Sequence, residues 1–148
     1  MINLQDVLDE WKTDSKIDEI NLDETSRQSP ILHAKYLELF SLAKLQLKQA
    51  EHKQKSLLKK KFLYYNGKMP QEDIEKEGWN YDPFDGLRIL KTDLNYYYEG
   101  DKEIQESEER IEYWKTVVAA LKEILDSVKW RHQTIRNMIE WRKFTSGD

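Results

Sequence analysis

Residues 101–146 read DKEIQESEERIEYWKTVVAALKEILDSVKWRHQTIRNMIEWRKFTS and contain neither glycine nor proline. One heptad position holds Ile104, Ile111, Val118, Leu125, His132 and Ile139; the other holds Ser107, Trp114, Leu121, Val128, Ile135 and Arg142. This 3–4 spacing predicts a helix of about 40 residues, or two helices with a bend, packing in coiled-coil style. Ile111, Trp114, Val118, Leu121, Leu125, Val128 and Ile135 are the candidate oligomerisation seam. A single chain could also cover it by folding back on residues 31–47, and the spacing does not choose between the two. The polar residues His132 and Arg142 predict a looser seam towards the C-terminus.

Working outward, a second long helical pattern spans about Ser29 to Tyr65. Ser29 can cap it and Pro30 suits its first position, unless the helix begins nearer Leu22 and bends at Pro30. Its first half is apolar on most sides and residues 48–56 are almost wholly polar, so it is expected to pack at one end and project into solvent at the other. Asn66-Gly67 followed by Pro70 ends it. Leu4, Val7, Leu8 and Trp11 mark one face of a short N-terminal helix. After it, Ile17, Ile20 and Leu22 are candidate anchors for an extended or turn segment. Between the long helices, residues 66–86 read as a loop with one short helix, Gln71 to Glu77, closed by Gly78, and a turn at Asp82-Pro83-Phe84-Asp85-Gly86. Residues 87–98 are ambiguous, because Tyr96-Tyr97-Tyr98 favours a short strand. The expected fold class is mostly α, in a single domain of three parts. These are a helical part with a basic segment (1–65), a loop-rich connector (66–100) and the C-terminal oligomerisation helix or helices (101–148).

Composition excludes much. There is no cysteine among 148 residues, so disulfides and thiolate metal sites are ruled out. The N-terminal ten residues carry acids where a signal peptide needs a basic and then an apolar run, and no stretch approaches a membrane-spanning length. His33, His52 and His132 are scattered without metal-ligand spacing, Asp82 and Asp85 are better turn formers than metal ligands, and neither a phosphate loop nor a nucleophile elbow occurs. No metal, no cofactor and no enzymatic activity are expected.

Net charge is −4, but its distribution is uneven. Residues 1–30 carry −5, residues 44–68 carry +7, residues 69–112 carry −9 and residues 113–148 carry +3. Charges beyond a Debye length of roughly 8–10 Å hardly feel one another, so the positive block acts locally. Lys53, Lys55, Lys59, Lys60, Lys61 and Lys68 cluster there around Phe62, Tyr64 and Tyr65. Cations neutralise phosphates and flat rings stack on bases, the two requirements for holding single-stranded nucleic acid. A solvated helix end with Phe62 and Tyr65 in the core is the plainer alternative.

The run Leu58-Lys59-Lys60-Lys61-Phe62-Leu63-Tyr64-Tyr65-Asn66-Gly67 resembles the signature of the UvsY recombination mediators of T4-like phages, a Leu-Lys-x-Arg/Lys pattern before a Tyr-Tyr-x-Gly turn. Leu4 to Trp11, Lys91-Thr92, Tyr113-Trp114, Arg131 to Ile139, Trp141-Arg142-Lys143-Phe144 and Gly147 extend the resemblance over nearly the whole chain; residues 66–86 depart from it most. It implies a non-enzymatic protein that binds single-stranded DNA as a ring of six or seven subunits. Such a protein helps a phage RecA-like recombinase (of the UvsX type) load onto DNA covered by the phage single-stranded DNA-binding protein, in the cytoplasm of the infected host. The DNA-contacting basic pair falls on Lys59 and Lys61, with Lys55, Lys60, Tyr64 and Tyr65 beside it. Lysine at position 61, in place of arginine, keeps the charge but loses bidentate phosphate contact. The alternative reading is a helical assembly or adaptor protein that binds other proteins through its heptads, its lysines a solvated face.

Overall fold

A computed structural model describes residues 2–147. Its elements are α1 (Leu4–Asp14), α2 (Leu22–Tyr65), α3 (Gln71–Glu77), a 3-10 turn at Lys91–Asp93, α4 (Leu94–Glu99) and α5 (Lys102–Ser146). The described residues contain no strand. The tyrosine run 96–98, open to a strand on its propensity, lies in α4, where Tyr97 packs edge-on against Phe84 at 4.9 Å. Ring packing decides that segment, not intrinsic β preference.

α2 begins at Leu22, so the cap does not fall at Ser29 and Pro30 sits inside the helix. Leu22 and Thr25 are buried, and Asp23 and Glu24 in the first turn complement the helix dipole. Those local gains carry the helix through a proline that removes one hydrogen bond. The α2 C-terminus, α3 and its left-handed closing residue Gly78 (φ 75°) fall where the sequence places them. So does the turn at 82–86, where the Asp82 carboxylate accepts from the backbone N–H groups of Phe84 and Gly86.

The chain divides into two compact units. The first comprises the residues up to Gln46 and those from Tyr113 onward. Its core holds Val7, Tyr36, Ala43, Trp114, Val117, Leu121, Ile124, Val128 and Ile135. Tyr36 is fully buried; its hydroxyl donates to Asp14 at 2.9 Å and its ring meets the edge of Trp11 at 5.5 Å. Lys35 pairs with the same Asp14 carboxylate at 2.6 Å and with Glu10 at 3.1 Å. Buried Arg131 donates to the backbone carbonyls of Asp14, Ser15 and Lys16. It thereby satisfies carbonyls left open where α1 ends. Of the three anchors expected before α2, Leu22 is buried, Ile17 is half-buried and Ile20 is 87% exposed.

The second unit is Leu47–Glu112. Here α2 and α5 run antiparallel side by side: Gln54 donates to Ser107 at 3.3 Å, and two turns further along α2 Lys61 reaches Asp101 at 2.9 Å. The polar stretch 48–56 therefore does not project free into solvent. Ala50 is buried within it, and Gln54 finds its polar partner on α5.

α5 is one helix without a break. Its buried stripe keeps Ile104, Ile111, Trp114, Leu121, Val128 and Ile135, then takes Val117, Ile124 and Arg131 where the heptads give Val118, Leu125 and His132. Val118 and Leu125 are half-buried, His132 is exposed and Ile139 is 38% exposed. The stripe steps by three twice, from Ile111 to Trp114 to Val117. At 100° per residue each step of three falls about 60° short of a full turn, so two in succession carry the buried face around α5, further than the roughly 20° per heptad by which a straight helix drifts. Ile111, Trp114, Leu121, Val128 and Ile135 are thus covered within a single chain.

Candidate nucleic-acid interface

The basic segment occupies the last four turns of α2, and the structure sorts its residues into two faces. Positions 50, 54, 57, 61 and 64 point inward; positions 52, 55, 59 and 62 point outward.

Lys61 is on the inner face, with its side chain 4% exposed. Its ammonium lies 2.9 Å from Asp101 and 3.5 Å from Glu103, and 3.8 Å from the ring centre of Trp79. Two carboxylates and an aromatic face replace the water it lost, which is what a buried lysine requires. This placement leaves Lys61 no surface for a phosphate. Trp79 in turn donates its indole N–H to Glu103 at 2.6 Å.

Tyr64 and Tyr65 also pack against the fold. Tyr64 is 6% exposed; its hydroxyl donates to the Asn80 carbonyl and its ring packs on Trp79 at 4.9 Å. Tyr65 is half-buried among Phe84, Tyr97 and Tyr98, and its hydroxyl donates to Asp101 at 2.6 Å. Burial, joined at Tyr65 by the Asp101 carboxylate, pushes both phenols above their ordinary pKa. Burial also pushes the Asp101 carboxyl up. Hydrogen bonds from Tyr65, the Ile104 amide and Lys61 outweigh it and hold the group below the usual carboxylate range.

The outer face carries His52, Lys55 and Lys59, all exposed, and ends in Phe62, 51% exposed. Lys68, just past the helix, holds its ammonium 5.9 Å from the Phe62 ring centre. Among the described residues no carboxylate pairs with Lys55 or Lys59. Lys60 lies on the flank and is bound to Glu77 at 2.9 Å, a contact that raises its pKa. The exposed ring of the segment is therefore Phe62, the one the plainer reading put in the core. Its register on the lysine face (i, i+3 from Lys59) is visible in the sequence; its exposure is not.

A family model described as "Recombination, repair and ssDNA binding protein UvsY" matches residues 10–148. The chain belongs to the UvsY family. The recombination protein uvsY of Enterobacteria phage T4 is 25% identical over 146 residues, 99% of each chain. Two crystal structures of the bacteriophage T4 recombination mediator protein UvsY share the fold. One superposes with a TM-score of 0.81 at 24% identity, covering 99% of both chains; a second lattice form gives 0.80 at 23%, covering 97% of this chain and 99% of that one. In this member of the family the structure keeps Lys55 and Lys59 outside, ties Lys60 to an acid, and packs Lys61, Tyr64 and Tyr65 against the fold beneath them. No group of three or more His, Asp or Glu side chains among the described residues is placed to hold a metal, and no helix among them is long and apolar enough to cross a membrane.

Proposed function

We propose that this protein is a recombination mediator that binds single-stranded DNA along the outer face of α2, with Lys55 and Lys59 on phosphates and Phe62 stacked on a base. The carrying observation is one exposed ring at helical register with exposed lysines, on a face whose opposite side is locked into the fold. His52 and Lys68 extend the face at either end. A helix face of this kind asks nothing of base identity, because every base offers a flat surface. Family membership supports the wider reading: several copies in a ring of six or seven, promoting the loading of a RecA-like recombinase onto DNA covered by single-stranded DNA-binding protein, in the cytoplasm of an infected bacterium. No step in that role calls for bond chemistry by this chain.

The test is a fluorescence titration against a labelled oligonucleotide at several salt concentrations. Binding should fall steeply with salt. Lys55→Ala/Lys59→Ala should weaken it and lower the slope by about 0.7 for each phosphate the variant no longer neutralises. A double variant that binds as tightly as the parent with an unchanged slope refutes the assignment.

A further inference from the structure

The connector between α3 and α5 holds a hollow that the contact proposed above does not use. It measures about 430 Å³ and is lined by Leu87, Arg88, Ile89, Asp93, Tyr96 and Tyr97. Small-molecule sites run from roughly 300 to 1,000 Å³ and combine apolar walls with a few polar groups that fix orientation. Tyr97 is held against Phe84 and Tyr65, whereas Tyr96 is 73% exposed. Arg88 is exposed and Asp93 half-buried. Neither side chain has a hydrogen-bond or ion-pair partner among the described residues. A ring, a planar donor and a planar acceptor thus border one space, unspent by the fold.

The hollow belongs to the same compact unit as the outer face of α2. The Asn66 side-chain amide donates to the Phe62 carbonyl at 2.7 Å and to the Tyr98 hydroxyl at 3.2 Å, and the Tyr65 ring meets Tyr97 at 6.2 Å. α4 therefore packs against the end of the helix that carries the lysine face. The polar pair selects among ligands. Guanine offers an arginine fork the acceptors O6 and N7, and it offers a carboxylate the donors at N1 and N2. Adenine and cytosine offer a carboxylate one amino group, and thymine a single N–H. A peptide would find Leu87 and Leu90, 66% and 72% exposed, but would have to bring charges of both signs to one spot.

We propose that this hollow receives one unstacked base of the bound single strand, guanine before the others. Tyr96 stacks on the base, the Arg88 fork meets O6 and N7, and the Asp93 carboxylate accepts from N1–H and the 2-amino group. Asp93 repels a phosphate, so the strand's backbone passes outside the hollow and only a base enters. This inference rests on the single-stranded DNA reading of the proposed function and adds to it a second ring and a preference among bases. The α2 face grips any sequence; the hollow reads one position of the strand.

The experiment titrates the protein with oligo-dT strands of equal length, with and without one central dG, at a single salt concentration. The parent should bind the dG strand about 5-fold more tightly or better, the low end of what a bidentate base contact gives. Asp93→Asn should erase most of that ratio. Tyr96→Ala should weaken both strands by about 5-fold or more, the low end of what one stacked base is worth. Lys55→Ala/Lys59→Ala should weaken both strands and keep the ratio between them. Equal affinity of the parent for the two strands overturns the guanine assignment. A Tyr96→Ala variant that binds like the parent overturns the site and leaves the hollow to a protein partner. In either case a loss in the lysine variant shows the α2 reading intact, whereas a parent that binds neither strand sinks both readings. Should a variant lose helix by circular dichroism, 6-thioguanine in place of the dG is irradiated on the unaltered protein. Its adduct should map to residues 87–97, and an adduct confined to other residues counts against the hollow.

Discussion

At the scale of residues, two lysines two positions apart have opposite fates. Lys59 has only solvent to satisfy, whereas Lys61 is enclosed by Asp101, Glu103 and Trp79. Removing one partner of a buried pair strands the other, at about 3–5 kcal/mol. Asp101→Asn should therefore lower stability by about 3 kcal/mol in urea titrations at pH 7. Asp101 has a depressed pKa in the folded protein, so its contribution is full above the unfolded value and fades as pH falls through the folded one. The gap between parent and variant should accordingly narrow below about pH 4; a gap that is constant down to pH 2 contradicts the pairing. The aromatic residues divide in the same way. Phe62→Ala should weaken oligonucleotide binding by about 1–3 kcal/mol with little change in melting temperature. Tyr64→Ala should do the reverse in kind, losing about 3 kcal/mol or more of stability through the cavity beside Trp79. If Phe62→Ala leaves affinity untouched, no base stacks there.

At the scale of elements, what was legible followed from local chemistry. The α2 C-terminus, α3 and the 82–86 turn are written in Gly67, Gly78 and Asp82, residues whose backbone or side chain acts within a few positions. The long α5 follows from an unbroken apolar repeat. What was not legible depended on partners far along the chain. Lys61 became a buried cation because Trp79 and Asp101 arrive beneath it, and nothing within a few residues of Lys61 announces either. The segment Tyr96 to Tyr98 joined a helix because Phe84 and Tyr65 pack on Tyr97 and Tyr98. The seam of α5 slipped by one residue because two successive steps of three, from Ile111 to Trp114 to Val117, break the strict seven-residue count. Pro30 shows the same override, and it can be reversed. Pro30→Ala restores the N–H that the helix lacks, worth up to about 3 kcal/mol in a helix interior. The freer unfolded chain takes back about 0.4–1 kcal/mol. The melting temperature should rise; a fall would mean the proline sets a bend the fold uses. Arg131→Gln, in contrast, should loosen α1 selectively, seen as faster amide exchange over Leu4–Asp14, because three carbonyls at its end lose their common donor.

At the scale of the whole molecule, a protein of net charge −4 is asked to hold a polyanion. One outer face offers two unpaired lysines and a phenyl ring, which makes a weak site on its own. Weak sites become adequate when several stand on one particle, since each later contact is made at an effective concentration set by the spacing of sites, and avidity can exceed single-site affinity by about 10²–10⁴. Strand length then becomes the informative variable. An oligonucleotide long enough for one site should bind the parent weakly and the Lys55→Ala/Lys59→Ala variant more weakly still. One long enough to reach several subunits should bind the parent far more tightly, and the variant should lose most of that gain because each of its sites is impaired. The comparison is made at a single salt concentration, since screening changes both affinities. A gain with length no larger than the number of added sites would show that successive sites on a strand are filled by independent chains, and that assembly adds nothing to the grip on DNA.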